Sequence, residues 1–527
     1  MDNDLIIFWC LFFYVLVGLT MTLVRVRSGR RGWIALYLVS LCVAVFGQLE
    51  KQKACLYVAV AMWLVLILLP GLIVRLYTRQ FLQQHYSAAF RSARVLSWLH
   101  PADGWRELPE VVHALDLAQR GELAAALEIL NRFQNVNSPT GMAAVINLYR
   151  LTHQWEELLA WNARHQHEVD RHPQLLVSFL RALGETGDLR GLVEYYDRHK
   201  QQIGKLMPQA ARDMCRLMLF AFCGRRDLTE RLFFGGSLAS LPASVRAYWL
   251  ATADQAGGAS ESAKRQLELL LPAADRPTRA AIERRLARPL TPASSLDASA
   301  QSVIESAALE HGHDASFGAQ PSLFSKRARA TQILIALNVL MFAAEMCFGG
   351  ASNPETLYRL GALFAPAVRA GEWWRLAASL FLHFGPLHLA MNMLALWVLG
   401  PFVEFALGFR RFLLVYLLAG VGSMGVVMGF ASGPNGEQLT VGASGCIMGL
   451  VGATGALMLR GWLREKALAA RKRLLAALLI VAMQSVFDSL VPNVSMTAHL
   501  SGAFIGFAAT MILRDRLRIP DIESPRH

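Results

Sequence analysis

Apolar residues in this chain are bunched into long stretches. Three near the start, at about 5–24, 32–48 and 54–76, approach the roughly 20 apolar residues a helix needs to cross a bilayer core. The second and third are short enough to form a hairpin, so this part predicts two or three spans. Six more stretches follow near 330–349, 386–405, 411–430, 441–460, 474–488 and 496–513. Between the two sets lies a polar region whose apolar positions recur at helical spacing to about residue 290. Residues 291–325, rich in Ser, Ala and Asp and without clear periodicity, read as a linker. The pattern predicts an all-α, polytopic membrane protein in five parts. These are N-terminal transmembrane helices (1–79), a helical domain outside the bilayer (80–290), the linker, a six-helix membrane domain (326–516) and a tail (517–527).

The polar region repeats. Short polar turns fall around Gly121, Gln154, Gly187, Gly224 and Gly258, at steps of 33, 33, 37 and 34 residues. A helix–turn–helix unit of that period suggests a tetratricopeptide-like solenoid, although the full set of repeat signature residues is missing. An irregular helical domain is the other reading. Concave helical repeats usually bind peptides or protein surfaces, so a protein partner or a regulatory role is expected for this domain.

Charge adds topology. The 527 residues carry a formal net charge of +13, and much of the excess sits beside the apolar stretches. Examples are Arg25 to Arg31, Arg75 and Arg79, Lys326 to Arg329, Arg410-Arg411, Arg460 to Arg473 and Arg514 to Arg518. The positive-inside rule puts all of these connections in the cytoplasm without conflict across nine spans. The N-terminus is then outside, and the 80–325 region and the C-terminus are inside. Such placement points to the lipid bilayer as a partner. Nucleic acid is not expected, since no basic stripe interleaved with aromatics occurs in a polar segment. The seven cysteines have neither metal nor disulfide spacing and read as small core residues. The opening Met-Asp-Asn-Asp is acidic where a signal peptide is basic, so the first stretch reads as an anchor.

Four features of the last 200 or so residues carry candidate chemistry. Ser444 lies in Gly442-Ala443-Ser444-Gly445, a string that helix packing through small residues would explain equally well. His499 stands near the start of the last stretch, followed by Gly502 and Gly506 on nearly the same face. An ionisable residue inside a span is costly and is a functional candidate, with an interfacial histidine as the plain alternative. "HFGPLHLAMNM" supplies His383, His388 and Asn392, and Pro386 suits the first turn of a helix that sets His388 and Asn392 on one face. "GEWWR" holds Trp374 and Arg375, ordinary interfacial anchors when taken singly.

By the loop charges, the spans holding His388, Ser444 and His499 all run from outside to inside, each with its polar residue in about the first two turns. Agreement in depth and identity favours one site. A serine hydroxyl needs an adjacent base, which His499 would supply. An oxyanion needs donors, which the Asn392 amide, a His388 ring N–H and the Ser444 backbone N–H would supply. No third carboxylate is evident, so the expectation is a Ser–His dyad, with no metal and no cofactor.

In order, "GEWWR", "FLHFGPLHLAMNM", "GASGCIMG" and "AHLSGAFIG" make residues 326–516 resemble the rhomboid intramembrane serine proteases. The resemblance implies a six-helix core with a water-accessible site opening to the outer side, acting on transmembrane protein substrates. It implies Ser444 as nucleophile, His499 as base, and His388 with Asn392 around the oxyanion. Residues 350–385 match the family's first loop, which Trp374 and Arg375 would stabilise and His383 would support. Residues 489–495 would lie near the gate. Four residues after the nucleophile the family usually has an aromatic packed on the catalytic histidine. Met448 stands there instead, and a thioether can still contact a ring. An inactive rhomboid-like scaffold that binds membrane clients is the main rival, and a metal site of His383, His388 and His499 a second. An Arg- and Ala-rich chain suggests a bacterial plasma (inner) membrane.

Overall fold

The computed structural model describes residues 3–24, 31–101, 104–133, 138–169, 172–234, 237–290, 292–293, 296–318, 328–431, 438–491 and 494–517. Arg25, Arg27, Arg30, Lys326 and Arg327, used above for topology, lie outside the described residues, as do most of the tail and residues 492–493 of the segment expected near the gate. The chain divides into two compact units, Cys10–Ala308 and a C-terminal unit from Leu309 onward that also takes in Met1–Trp9. Among the described residues the fold is all-helical, without strands beyond one isolated bridge.

Among the described residues nine apolar helices, α1–α9, stand where the hydropathy puts them. They are α1 (Asn3–Val24), α2 (Arg31–Leu49), α3 (Lys53–Leu82), α4 (Arg329–Cys347), α5 (Pro386–Leu407), α6 (Phe409–Phe430), α7 (Ser444–Glu465), α8 (Leu468–Leu490) and α9 (Met496–Ile512). Seven of the described helices, α2 to α8, are long and apolar enough to cross a membrane. The third is longer than its hydropathy suggested. It runs unbroken for 30 residues, about 45 Å at 1.5 Å per residue, so it is no short arm of a hairpin. A π-helical turn over Leu64–Leu68 lies within it.

Consecutive packed helices fill the rest of the N-terminal unit. The expected turns near Gly121, Gly187, Gly224 and Gly258 each hold a left-handed glycine, with φ between +72° and +96°. In the second turn the left-handed residue is His153 (φ +57°), one position before Gln154. A left-handed residue lets the last N–H groups of one helix fold back on its carbonyls and stop it. Trp155, Phe179, Phe220 and Phe222 are buried in the core these helices enclose.

One boundary differs. The segment read as a linker contains a 20-residue helix, Ala298–Phe317. Its Ala, Glu and Leu content favours helix, and the Asp297 carboxylate accepts the Ala300 N–H at 2.8 Å as a cap. Its apolar positions lack a clean period, which is why hydropathy missed it. From Leu309 on it belongs to the C-terminal unit, where the Phe317 ring fills the space that a side chain at Gly461 would need.

In the C-terminal unit α7 is the axis. Within the apolar windows of these helices 72% of α7 is buried, against 11% of α8. Leu475, Leu478, Leu479, Ile480 and Val486 of α8 are exposed, as suits a lipid-facing helix. Apolar side chains gain little by leaving lipid for protein, so close approach through small residues must hold such a bundle. It does so along α7 and α9. A Cβ at Gly502 would overlap the Gly445 carbonyl, one at Gly506 the Gly449 carbonyl, and one at Gly452 the Ala503 carbonyl. Because these contacts advance together along both helices, α7 and α9 run parallel.

Buried charge latches the bundle at its other end. Both Glu404 oxygens of α5 accept from the start of α4, from Ala330 N–H at 2.8 Å, Thr331 N–H at 2.9 Å and the Thr331 hydroxyl at 2.8 Å. A carboxylate there satisfies otherwise unpaired donors and complements the helix dipole. Arg460 of α7 donates to the last carbonyls of α9, at Thr510 and Leu513, and pairs with Asp515 at 3.2 Å.

Candidate active site

The loop between α4 and α5 frames the site. Arg375 is buried there: it pairs with Glu372 at 2.6 Å, donates to the carbonyls of Tyr358 (2.7 Å) and Ala362 (3.1 Å), and lies over the rings of Tyr358 and Trp374. Its five N–H donors bind several turns of loop at once, which one ammonium would not do in the same plane. Arg375 thus ties Tyr358, Ala362 and Glu372 of this loop together. The loop is stitched in turn to the residues entering α7. Leu363 and Thr440 exchange two backbone hydrogen bonds of 3.0 Å, and Gly442 N–H donates to Ser379 at 2.9 Å.

His383 closes the loop from below. It is fully buried, its N–H donates to Glu345 of α4 at 2.8 Å, and its ring lies edge-on to that of His388 at 5.2 Å. Burial, with His388 beside it, pushes its pKa down to about 3, so this ring is neutral at neutral pH.

Asn392, Ser444 and His499 are the seventh, first and fourth residues of α5, α7 and α9, all at the starts of their helices. Gly442, two residues before Ser444, has φ +127° and faces α5: a Cβ there would lie 3.0 Å from His388 Nε2 and 3.8 Å from Asn392 Nδ2. Only glycine gives both the backbone angle and the space. His388 Nδ1 accepts the Phe384 N–H at 3.3 Å, which leaves its proton on Nε2, the atom turned toward Gly442. The Asn392 amide nitrogen is buried without a hydrogen-bond partner, an arrangement that costs free energy unless a ligand uses it. Two donors thus face the segment carrying Ser444.

The helix starts that carry Ser444 and His499 pack together. Gly445 faces Gly502, and the Ala498 carbonyl lies 3.6 Å from where a Gly445 Cβ would be. The first turns of the two helices are therefore against each other. Ser444 is half-buried and His499 is buried. Met448 sits one turn deeper, in an apolar cluster with Val451, Ala477 and Ala503. The three histidines once considered as metal ligands do not form such a set. Among the described residues no group of three or more His, Cys, Asp or Glu side chains could hold a metal ion.

One expectation is corrected. Sequence reading found no carboxylate near the histidine, yet His499 Nδ1 lies 2.8 Å from Asp488 Oδ2, and the Asp488 side chain is fully buried. The span read from hydropathy closes at 488, whereas α8 continues to Leu490 and turns Asp488 inward. The available signal was Gln484 four residues earlier, a second polar residue on the same face of an apolar helix.

The fold and site define a multi-pass, all-helical integral membrane protein in which three spans gather serine, histidine and asparagine at one end. A family model for the rhomboid domain matches residues 370–516. The chain is also 35% identical over 159 residues to Putative rhomboid protease YdcA of Bacillus subtilis (strain 168), covering 30% of this chain and 72% of that protein. It belongs to the rhomboid family. It is similar as well to Rhomboid protease GluP of the same organism, 38% identical over 188 residues, covering 35% of this chain and 34% of GluP. With RHOMBOID-like protein 5 of Arabidopsis thaliana it shares 34% identity over 165 residues, covering 31% of this chain and 51% of the relative. The chain thus spans about a third of GluP's length and about half of that of RHOMBOID-like protein 5.

Proposed function

We propose that this protein is an intramembrane serine protease that hydrolyses peptide bonds in or beside the transmembrane segments of other membrane proteins. The observation that supports this reading is the glycine-mediated contact between the first turns of α7 and α9, the turns that carry Ser444 and the buried His499. In the reaction, the Ser444 hydroxyl gives its proton to His499 Nε2 as Oγ bonds to the substrate carbonyl carbon. The carbonyl π pair moves to oxygen, where Asn392, His388 and the Ser444 N–H would stabilise the oxyanion. Collapse expels the amine, which takes the proton from Nε2. Water then enters by the same route, releasing the acid and restoring Ser444.

A serine-directed fluorophosphonate should label the full-length protein at Ser444 and nowhere else, as mapped by peptide mass, and prior chelation of metals should not slow it. Labelling that survives in Ser444→Ala protein would remove the assignment. An inactive scaffold predicts no labelling at all.

The helix pairs of the polar region support a tetratricopeptide-like role in docking a protein partner or regulating cleavage. The basic loops support a bacterial plasma-membrane location with the repeats and C-terminus in the cytoplasm. In-frame removal of residues 80–290 is expected to change which membrane proteins are cut in cells, or how fast. An unchanged substrate range and rate would discard the docking role.

A further inference from the structure

The helix Tyr86–Leu99 follows α3 and runs back along it. Three contacts fix its direction. The rings of Tyr86 and Phe81 meet edge-on at 5.5 Å, the Ser92 hydroxyl donates to Gln80 Oε1 at 2.8 Å, and His100 Nε2 donates to the Leu66 carbonyl at 2.9 Å. As this helix advances, its partners on α3 recede from residue 81 to residue 66. The His100 ring also stacks on Trp33, the third residue of α2, at 4.1 Å. Both α2 and α3 are long and apolar enough to span, so the end they share there is a membrane face. Arg75 marks that face on α3: it stands about 32 Å along the helix from Ala54, close to the roughly 30 Å of a bilayer core. Ser92 is then level with Gln80, outside the apolar layer, and His100 with Leu66, inside its edge.

Trp98 lies between those two levels, and 82% of it is exposed. Arg91, Arg94 and Val95 are exposed as well, and at spacings of i, i+3, i+4 and i+7 the four residues form one face. Such a face suits the interface at this depth, where an indole sits at headgroup level and guanidinium groups meet phosphates. The charge is one-sided. No Asp or Glu occurs from Lys51 to Ala102, and Arg75 and Arg79, also exposed, lie on the stretch of α3 along which this helix runs. We propose that Arg91, Arg94, Val95 and Trp98, flanked by Arg75 and Arg79 of α3, form a binding site for anionic phospholipid at the face where α3 leaves the bilayer. Trp98 and Val95 enter the boundary between headgroups and acyl chains, and the arginines hold lipid phosphates. The Phe90 ring lies 5.1 Å from that of His113 on the next helix, Leu108–Arg120. The site thus ties the base of the helical domain, as well as the end of α3, to the membrane.

The test uses full-length protein in phosphatidylcholine bilayers that carry increasing shares of brominated phosphatidylglycerol or, separately, of brominated phosphatidylcholine. Bromine quenches tryptophan only on close approach. The chain has 12 tryptophans, so Trp98 is read as the difference in emission between the parent and Trp98→Phe. That component is expected to be quenched by lipid and not by aqueous iodide. At low salt, half-quenching should need about fivefold less brominated phosphatidylglycerol than brominated phosphatidylcholine, the effect of one arginine near an acidic surface. The preference should fall toward parity in Arg91→Gln/Arg94→Gln, read against the same variant carrying Trp98→Phe. It should persist in Arg91→Lys/Arg94→Lys, which keeps the charge. Salt of about 1 M, where screening shortens to about 3 Å, should also bring it toward parity. All of these positions are exposed, and each variant is read on protein that elutes as a single folded species.

Two results overturn the site. One is a Trp98 component quenched by iodide and untouched by brominated lipid, which leaves this face in water or open to a protein partner. The other is equal quenching by the two brominated lipids in the parent, or a preference that survives Arg91→Gln/Arg94→Gln. Trp98 would then touch lipid without the arginines selecting its headgroup. Neither readout involves Ser444, so the lipid site and the proposed protease activity stand or fall separately.

Discussion

Ser444→Ala protein, reconstituted with a single-pass membrane substrate, is expected to lose cleavage by about 10⁴-fold or more while staying folded. His499→Ala should fall as far, and the double variant no further. Residues that act as one proton-transfer unit are strongly non-additive, because removing either leaves the other without work to do. The arrangement makes the losses separable from folding. Ser444 is a half-buried first residue of α7, whereas the contact that holds α7 to α9 runs through Gly445, Gly449 and Gly452. Asn392→Ala should cost less, roughly 10²–10³-fold, the usual effect of one oxyanion donor. That loss should fall on kcat with KM nearly unchanged, since the amide is needed only once charge develops. Its buried nitrogen has no partner to lose, so the folded state should tolerate the change. A double variant far slower than either single, or an Asn392→Ala effect confined to KM, would contradict these roles.

The second large effect is structural. Gly502→Val is expected to separate α9 from α7, destabilising the protein by several kcal/mol and abolishing labelling of Ser444. Overpacking a well-packed core costs about 1–3 kcal/mol, and more when backbone must move. At Gly502 the added carbon meets the Gly445 carbonyl, which belongs to the backbone of α7 and cannot rotate away. Gly502→Ala should already be harmful. Gly425→Ala on α6 is the internal control: nothing lies within 4 Å of its Cβ position, and alanine favours helix by about 1 kcal/mol over glycine. Thermal unfolding in detergent should therefore lower the midpoint for Gly502→Ala and leave it level or raised for Gly425→Ala. Equal midpoints would mean that the α7–α9 glycines are not what holds the helices together.

What sequence alone determined here follows from lipid acting as solvent. A span must be helical and about 20 apolar residues long, so its position is written locally, and the nine apolar helices among the described residues stand where hydropathy puts them. The turn glycines of the repeats are equally local, since a left-handed angle favours particular residues at particular positions. Ser444, His499, His388 and Asn392 were legible as candidates because polar groups in spans need a reason, and each stands near the start of its helix.

Tertiary structure decided what depends on how each helix is turned about its axis. Asp488 lies eleven positions before His499 on another helix, and only the rotation of α8 brings its carboxylate to Nδ1. Glu404 looks like any charge near a span end until it is found capping α4, more than 70 residues away in sequence. Hydropathy averages over such residues, because it records how much of a helix is apolar and not which neighbour each polar group meets. The helix at Ala298–Phe317 escaped for a related reason: helix-forming composition without a clean apolar stripe gives propensity no period to announce it.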